Sequence, residues 1–140
     1  MAVIDPTTEL GEAVIERLED ELIIWLTTLG KDGAAHPKPV WFFWENGEIL
    51  IYTQPNAAKV RHIARDGRAA LHFNTSHDGE NVAVINGPAR IVADAPKAID
   101  TPAYIAKYKK GIADIGMTAE SFSAAYSVAI RVTPDKLWGF

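Results

Sequence analysis

The chain has no cysteine among its 140 residues. This absence excludes a disulfide framework, thiolate metal sites, cysteine nucleophiles and any thiol redox cycle. The chemistry that remains is that of histidine, carboxylate, hydroxyl and backbone groups, or that of a bound cofactor.

Long apolar segments and an excess of positive charge are also missing. The apolar run Val40–Trp44 is far shorter than the roughly 20 residues of a membrane-spanning helix, and the N-terminus lacks the pattern of a secretory signal. The formal net charge is −4, whereas nucleic-acid binding usually requires a sustained basic face. We therefore expect a soluble cytoplasmic protein with neither a membrane nor a nucleic acid as partner.

What the chain does have is the composition of a globular domain. Apolar residues make up 48% and charged residues 23% of the sequence, both close to the average. The length suits one domain that buries about two thirds of its unfolded surface, so we expect residues 1–140 to form a single domain. Residues 1–30 hold one arginine against seven carboxylates, whereas residues 31–68 hold six basic and four acidic side chains. This small basic excess suits one small anionic ligand.

Periodicity and turn signals predict the elements of the first half. Asp5-Pro6 is a helix-start signal, and apolar residues at a spacing of four follow it. The next three apolar segments, joined by short turns, predict a three-stranded meander: Leu22–Thr28, Ala34–Trp44 and Glu48–Thr53. Pro37 and Pro39 place the second strand at an edge or at a bulge.

The second half continues this pattern. Asn56 is expected to cap a short helix that ends at Arg65, and Asn86-Gly87-Pro88 predicts a bend within a long strand. The remaining predicted elements are the strands Arg68–Phe73 and Val82–Val92, helices from Thr101 to Gly111 and from Thr118 to Tyr126, and a closing hairpin over 128–140. Short strands with inserted helices predict a mainly β (α+β) fold, an antiparallel barrel of six or seven strands with peripheral helices.

Two of the predicted strands are apolar on both faces. Every residue of Val40–Trp44 and of Ile49–Tyr52 is apolar, whereas a sheet with one face in water would alternate. One face is expected to fill the barrel. The other is expected to be covered by helices, by a second subunit or by a flat ligand.

The segment Thr53–Arg61 has the features of a phosphate site. It places the N-terminus of a helix, where backbone N–H groups are unpaired, beside Lys59 and Arg61. Ala57 and Ala58 in the first turn are small enough to let an anion approach the backbone. The alternative is an ordinary solvated basic face of a helix.

Short motifs follow one another in a characteristic order along the chain. They are Gly33, Pro37 and Val40-Trp41, then 46–53 (NGEILIYT), 58–61 (AKVR), 65–68 (RDGR), 87–90 (GPAR), Thr133-Pro134 and 137–140 (LWGF). None is specific alone, but the ordered set over residues 10–140 resembles the pyridoxamine-phosphate-oxidase-like split β-barrel superfamily. Within it, the chain is most similar to the actinobacterial branch of deazaflavin (coenzyme F-420)-dependent reductases.

The resemblance implies a homodimer with two interface sites, each binding a flavin or deazaflavin. By match to the family's motif, Lys59 and Arg61 would hold the cofactor phosphate. The residues implied to lie along the tricyclic ring or to line its groove are His36, Lys38, Val40, Trp41, Tyr52 and Thr53. Trp138, in the closing Trp-Gly motif, is interpreted as a core residue, with a place at the dimer interface as the alternative.

The implied function is an oxidoreductase that transfers hydride from coenzyme F-420 to an activated, conjugated small molecule. Because the cofactor carries the reaction, no catalytic triad is expected and no catalytic residue is assigned. The alternatives are an FMN-binding oxidoreductase and a non-catalytic carrier of a flavin or deazaflavin. Lys31 and Lys38 could meet an anionic cofactor tail, which favours the deazaflavin. The segment Pro37–Phe42 lacks the Arg-x-Val-Leu-Leu-Lys pattern of pyridoxamine-phosphate oxidases, so that activity is not implied.

Other chemistries have little support in the sequence. No metal site is expected, because the four histidines have no metal-ligand spacing: His36, His62, His72 and His77. No serine stands in a G-x-S-x-G motif. The basic cluster at the end of the helix from Thr101 is interpreted as solvated and attracted to the helix dipole: Lys107, Lys109 and Lys110.

Overall fold

The computed structural model describes residues 2–140, which form eight strands and four α-helices. The strands are β1 (Ile24–Leu29), β2 (Ala35–Val40), β3 (Phe43–Glu45), β4 (Glu48–Thr53), β5 (Arg68–His72), β6 (Ala83–Ile91), β7 (Val128–Val132) and β8 (Lys136–Gly139). The helices are α1 (Glu9–Asp20), α2 (Ala58–Arg65), α3 (Pro102–Asp114) and α4 (Ala119–Ala125), and a 3-10 turn spans Ala98–Asp100. No helix within residues 2–140 has the length and hydropathy needed to cross a bilayer.

The strands form one curled antiparallel sheet. Their order is β2-β1-β5-β6-β7-β4-β3, and β8 pairs with β6 beside this path. The two edge strands, β2 and β3, are separated in the chain only by Trp41 and Phe42, so the edges of the sheet approach each other at this point. The predicted fold class, an antiparallel split barrel with peripheral helices, is confirmed. The strands number eight rather than six or seven, because the predicted strand Ala34–Trp44 is two strands.

The break between β2 and β3 also makes the predicted meander wrong. β2 pairs with β1 and β3 pairs with β4, at opposite edges of the sheet. The backbone of Phe42 finds its partners on α3 instead of on a strand: its N–H donates to the hydroxyl of Tyr108 (2.8 Å), and its carbonyl accepts from Lys107 Nζ (3.0 Å). The strand is therefore interrupted at Phe42, where side chains of α3 replace the backbone hydrogen bonds of a neighbouring strand.

Lys107 differs from the solvated residue expected from the sequence. Its ammonium lies 3.8 Å from the centroid of the Phe42 ring, and burial lowers its pKa to about 8. Lys109 and Lys110 are exposed, as expected. Helix α3 runs on to Asp114 rather than ending at Gly111, so Lys107 is not in its last turn.

Gly111 has a packing role in the last turn of α3. A Cβ at this position would lie 2.9 Å from the indole ring of Trp41. The glycine therefore gives Trp41 room to lie directly on the helix. This contact explains why a residue that usually ends helices stands inside one.

β6 changes partners at the predicted bend. Its first part pairs with β5 and β8, whereas Ala89–Ile91 pairs with β7. Gly87 lies at the change, and a Cβ there would come within 2.0 Å of the carbonyl oxygen of Thr133. The close approach of two backbones requires glycine at this corner.

The N-terminal helix begins later than Asp5-Pro6 predicts. Its N-cap is Thr8, whose hydroxyl accepts from the N–H of Gly11 (3.0 Å). The Asp5 carboxylate is already engaged by the backbone N–H (2.8 Å) and hydroxyl (2.6 Å) of Thr7. Asp5 therefore forms a turn that precedes the helix.

Two hydrophobic cores lie on opposite faces of the sheet. The barrel core is mostly aliphatic: Ile4, Val14, Leu18, Ile24, Leu26, Phe42, Ile49, Ile51, Ile63, Ala69, Leu71, Phe73, Ala83, Ile85, Ala89, Ile130 and Val132. The helix-side core lies between β4, β7 and the helices α3 and α4, and it is rich in aromatic residues: Leu50, Tyr52, Ala98, Tyr104, Tyr108, Ile112, Phe122 and Ala129. Helices cover the second face of β4. They are one of the three coverings that the sequence left open, the others being a second subunit and a flat ligand.

A different part of the outer sheet surface carries large apolar side chains without burying them. Across β1, β5, β6 and β8, Trp25 lies opposite His72, His72 opposite Val84, and Val84 opposite Trp138. Trp138 is 62% exposed and Phe140 is 64% exposed. The interpretation of Trp138 as core is therefore wrong, because β8 pairs only with β6 and presents this side chain outward.

Candidate functional site

A cavity of 320 Å³ opens where the end of β2 meets β4, α3 and α4. Its walls are mainly aromatic and aliphatic: Ile23, Pro39, Val40, Trp41, Tyr52, Thr53, Lys59, Tyr104, Ile115, Phe122 and Tyr126. Five of the site residues expected from the sequence line it together: Val40, Trp41, Tyr52, Thr53 and Lys59. The volume is at the lower end of the range for ligand pockets, roughly 300–1,000 Å³, so the cavity has room for one flat ring system.

Trp41 forms a rigid part of this wall. Its indole is stacked on Tyr108, with ring centroids 4.6 Å apart, and on Phe122 at 5.4 Å. The room provided by Gly111 completes its seat on α3. Trp41 therefore belongs both to the cavity wall and to the packing of the helices.

Tyr52 contributes its ring rather than its hydroxyl. The Oη atom donates to the carbonyl of Pro96 (2.7 Å) and lies 2.9 Å from the hydroxyl of Thr101. Burial raises the pKa of Tyr52, so the hydroxyl stays protonated and keeps these partners. Thr53, the next residue of β4, is buried beside it.

Beside the cavity, side chains of β2 and α2 lie close together, and we call the surface between them the groove. His36 and Lys38 lie opposite Thr28 and Leu26 in the register of β1 and β2, and they are exposed at the edge. Burial lowers the pKa of Lys59, and the nearby charge of Lys38 lowers it further. Neither lysine forms an ion pair within residues 2–140. The groove thus holds two positive charges that no carboxylate of the described chain neutralises.

Two histidines face each other farther along the groove. The rings of His36 and His62 have centroids 4.8 Å apart, and His62 Nδ1 lies 2.8 Å from the hydroxyl of the buried Thr28. Burial lowers the pKa of His62, and His36 is the next largest cause. Sequence reasoning missed His62 as a groove residue, although its position three residues after Lys59 on a helix places both on one face. Within residues 2–140, no three His, Cys, Asp or Glu side chains are grouped to hold a metal ion.

The N-terminus of α2 differs in detail from the expectation. Ala57 is the N-cap, and no side chain caps the helix; the prediction that Asn56 is the cap is wrong. A turn in which the N–H of Ala57 donates to the carbonyl of Gln54 (3.1 Å) carries the chain past Asn56 before the helix begins. Ala58, the first helical residue, is exposed.

Arg61 lies away from the cavity. It is exposed, and its guanidinium donates to the carbonyl of Asn56 (3.1 Å). The structure therefore places Lys59 in the cavity wall and Arg61 at the outer side of the same helix end.

Three aromatic residues of the cavity, Tyr104, Phe122 and Tyr126, were not among the expected site residues. They come from α3 and from the end of α4, which the sequence presents as peripheral amphipathic helices. Tyr104 is fully buried, and its hydroxyl has no hydrogen-bond partner within residues 2–140. Burial raises the pKa of this hydroxyl. A buried polar atom without a partner is unusual, because nearly all such atoms are hydrogen-bonded.

Residues 10–139 match the sequence profile described as pyridoxamine 5'-phosphate oxidase. The chain belongs to this family. The expected membership of the split-barrel superfamily is thereby confirmed, whereas the coenzyme F-420-dependent branch stays a prediction. No curated protein matches the chain significantly.

Solved structures with this family's fold resemble the chain over nearly its whole length. An F420 reductase has 20% identity and a TM-score of 0.68, over 88% of this chain and 94% of that one. An FAD-binding protein from Mesorhizobium loti has 13% identity and a TM-score of 0.64, over 88% of each chain. HutZ, described as a heme storage protein from Vibrio cholerae, has 12% identity and a TM-score of 0.68, over 94% of this chain and 95% of that one. At these identities the similarity shows the fold alone.

Proposed function

We propose that this family member is an oxidoreductase that binds coenzyme F-420 and transfers hydride to an activated, conjugated small molecule. The observation that carries the proposal is Lys59, a half-buried lysine with no carboxylate partner in the described chain, in the wall of an aromatic cavity. A second unpaired lysine, Lys38, lies close enough to lower the pKa of Lys59 further. A bound anion would relieve this repulsion and supply the missing partner.

The residues present fit a flavin-type cofactor at both ends. The cavity has flat apolar walls for a ring system, and the groove beside it has cationic side chains for an acidic tail. We assign the phosphate to Lys59 and to the uncapped backbone at Ala57 and Ala58 beside it. The phosphate contact expected of Arg61 is not assigned, because Arg61 lies at the outer side of this helix end. The ring is assigned to the wall formed by His36, Lys38, Val40, Trp41, Tyr52 and Thr53.

The division of labour follows from these side chains. When bound, the cofactor supplies the hydride chemistry. The indole of Trp41, fixed by stacking, and the ring of Tyr52, fixed by its hydrogen bonds, orient a flat molecule. The apolar wall excludes water. The ammonium group of Lys59 binds a negatively charged group of the cofactor at the mouth of the cavity. We assign no catalytic acid or base, because hydride transfer to a conjugated acceptor requires mainly binding and orientation from the protein.

The deazaflavin is favoured over FMN by the charge along the groove. Lys38 extends the positive region beyond Lys59, which suits the longer and more acidic tail of coenzyme F-420. The F420 reductase among the similar structures is consistent with this choice. FMN is the alternative cofactor, and the similar FAD-binding protein supports a flavin on this fold.

A non-catalytic carrier of the same cofactor is the second candidate function. It is favoured by the absence of aspartate, glutamate and histidine from the residues that line the cavity, and by the similar structure described as a heme storage protein. Multiple-turnover kinetics separate the two functions. Reduced coenzyme F-420, and separately reduced FMN, are mixed with a panel of enones and quinones, and cofactor oxidation is followed by absorbance. Turnover with the deazaflavin supports the reductase, whereas tight binding without turnover by any acceptor contradicts it.

We further propose that the protein acts as a homodimer. The exposed Trp138 and Phe140, next to the Trp25–His72 stack, form an apolar surface of the kind that subunits bury. Sedimentation velocity of the native chain and of the Trp138→Lys variant tests this directly. A dimer that becomes monomeric in the variant supports the proposal, and a native monomer contradicts it.

A further inference from the structure

The groove between β2 and α2 carries two pairs of basic side chains. In the lysine pair, Lys38 of β2 lies close enough to Lys59 of α2 for its charge to act on that lysine. In the histidine pair, the rings of His36 on β2 and His62 on α2 have centroids 4.8 Å apart. Two residues of a strand, or three residues of a helix, separate one pair from the other. The pairs therefore lie about 4.5–7 Å apart along the groove.

The two imidazole rings are held in place by β1. His36 lies opposite Thr28 in the register of the two strands, and the Thr28 hydroxyl lies 2.8 Å from His62 Nδ1. A Cβ at Gly30 would come within 2.7 Å of His36 Nε2, so this glycine leaves room for the ring. His62 Nε2 forms no hydrogen bond within residues 2–140, yet it is not a buried atom. His36 is itself exposed, so both rings have a nitrogen that a ligand can reach.

The charges that face the histidine pair are mostly positive. Arg61 and Arg65 lie on the same helix as His62 and disfavour its protonation. Within residues 2–140, the one carboxylate that favours its protonation is Asp32, in the turn between β1 and β2. β1 has no titratable side chain. Arg90 of β6, the other strand that packs against α2, already has a carboxylate partner.

His62 is uncharged at neutral pH in the absence of a ligand. Burial lowers its pKa, and the neighbouring His36, Arg65 and Arg61 lower it further. Two protonated rings this close would repel each other, whereas an anion beside them favours the protonated forms. Binding of an anionic group here would therefore take up protons and become tighter as the pH falls.

We propose that His36 and His62 form a proton-linked subsite for the second anionic group of a ligand whose first anionic group is held by Lys38 and Lys59. The ligand class is a molecule with two acidic groups at the spacing of the two pairs. Its source is either the acidic tail of the cofactor or a separate dianionic small molecule. The lysine contact rests on the proposed function, whereas the histidine subsite does not, and the test keeps the two apart.

The probes are propane-1,3-disulfonate and propane-1-sulfonate, which differ by one anionic group and keep their charge between pH 8 and pH 5.5. The native full chain is titrated with each probe at constant ionic strength, and the NMR signals of the imidazole protons are followed. Single histidine-to-glutamine variants assign these signals. His72 on β5 and the exposed His77 are internal controls, because neither lies on β2 or α2.

The disulfonate should shift the titration of the His36 and His62 signals to higher pH and leave those of His72 and His77 unchanged. Its dissociation constant should fall at least about tenfold between pH 7.5 and pH 5.5, and that of the monosulfonate should change much less. His62→Gln should remove most of this pH dependence, whereas His77→Gln should keep it. The NMR measurement uses the native protein, so it stands even where a variant fails to fold.

Unchanged titration of the His36 and His62 signals overturns the inference, whether or not the probe binds elsewhere. Equal shifts at His72 and His77 also overturn it, because they would indicate a general effect of the added anion.

The cofactor arm identifies the source of the second anionic group. Binding of coenzyme F-420 that tightens toward pH 5.5, and loses this dependence in His62→Gln, assigns the group to the cofactor tail. Binding of coenzyme F-420 that does not depend on pH assigns it to a separate small molecule. If coenzyme F-420 does not bind while the disulfonate shifts both signals, the proposed function fails and the histidine subsite stands.

Discussion

The barrel core and the helix-side core are both buried, yet they are built from different chemistry. The 17 buried members of the barrel core include two aromatic residues, Phe42 and Phe73. Four of the eight buried members of the helix-side core are aromatic. Within residues 2–140, the buried members of the barrel core carry no polar side-chain atom, whereas the helix-side core contains the Tyr104 hydroxyl, which has no hydrogen-bond partner there. Members of the helix-side core also line the cavity, so we infer that one core stabilises the fold and the other also contributes to the candidate site.

The two cores meet at Phe42. Its ring belongs to the barrel core, while its backbone bonds to Tyr108 and Lys107 of α3. The same residue therefore interrupts the edge strand and attaches the helix that carries the cavity wall. Substitutions on either side of this junction should separate stability from ligand binding.

The largest effect is expected from the barrel core. Leu71→Ala removes most of a fully buried side chain. This substitution should lower the free energy of unfolding by about 2–5 kcal/mol, because it leaves a cavity in the barrel core. Urea denaturation measures this loss. At temperatures where the variant stays folded, its cofactor affinity should equal the native value; a large loss of affinity would show that the two cores are not separable.

The next effect concerns the junction. Tyr108→Phe leaves the buried N–H of Phe42 without its acceptor and should lower the free energy of unfolding by about 1–3 kcal/mol. Tyr104→Phe in the same core should not destabilise the protein, because the Tyr104 hydroxyl has no hydrogen-bond partner among residues 2–140. Equal losses in the two variants, measured by urea denaturation, would contradict the distinction drawn between these tyrosines.

A loss in binding rather than in stability is expected at the cavity mouth. Lys59→Ala should weaken cofactor binding by about 1 to 3 kcal/mol, the range for loss of a charge-assisted contact. Its free energy of unfolding should not fall, since the native lysine is half-buried without an acid partner. Lys97→Ala, at an exposed position, is the control. An unchanged dissociation constant for Lys59→Ala would remove the phosphate site at α2.

The smallest effect is a dependence of stability on pH. The pKa of Lys107 is about 8 in the folded chain and near 10.4 in an unfolded one, so between these values only the unfolded chain holds the proton. The free energy of unfolding should therefore rise as the pH increases from about 8 to 9.5. Lys59, whose pKa is also lowered, acts in the same direction. Above pH 10 the raised pKa values of Tyr104 and Tyr108 oppose this trend.

Lys107→Met is the variant that isolates this contribution. It keeps a long apolar stem over Phe42 and removes the titrating group. Denaturation curves at several pH values should show a smaller rise in stability than the native chain shows. Identical pH profiles for the two proteins would mean that Lys107 is not desolvated.

Much of the barrel was predictable because its signals are local. The apolar strands, the edge prolines of β2 and the Thr118 cap of α4 are all encoded by neighbouring residues. The split between β2 and β3 could not be predicted from local signals, because it depends on Tyr108, which lies 66 positions beyond Phe42. The same long-range packing lets α3 pass through Gly111, where Trp41 lies against the helix.

The site was predictable in part for a similar reason. Motif order brings Trp41, Tyr52 and Lys59 to one cavity, as the structure has them. Tyr104 has no local signal, since a tyrosine on the apolar face of an amphipathic helix is ordinary core material. Its unpaired hydroxyl emerges only when the helix is packed, because the neighbours that could satisfy it are already engaged.

We propose that the cavity and the basic groove together bind an anionic flavin-type cofactor. The most direct measurement is a parallel titration of the cofactor-free protein with coenzyme F-420 and with FMN, followed by tryptophan fluorescence, since Trp41 lines the cavity. We expect a dissociation constant in the micromolar range or below for coenzyme F-420 and weaker binding of FMN. In Lys59→Ala, the dissociation constant obtained from fluorescence quenching should increase. Binding of neither cofactor would contradict the claim.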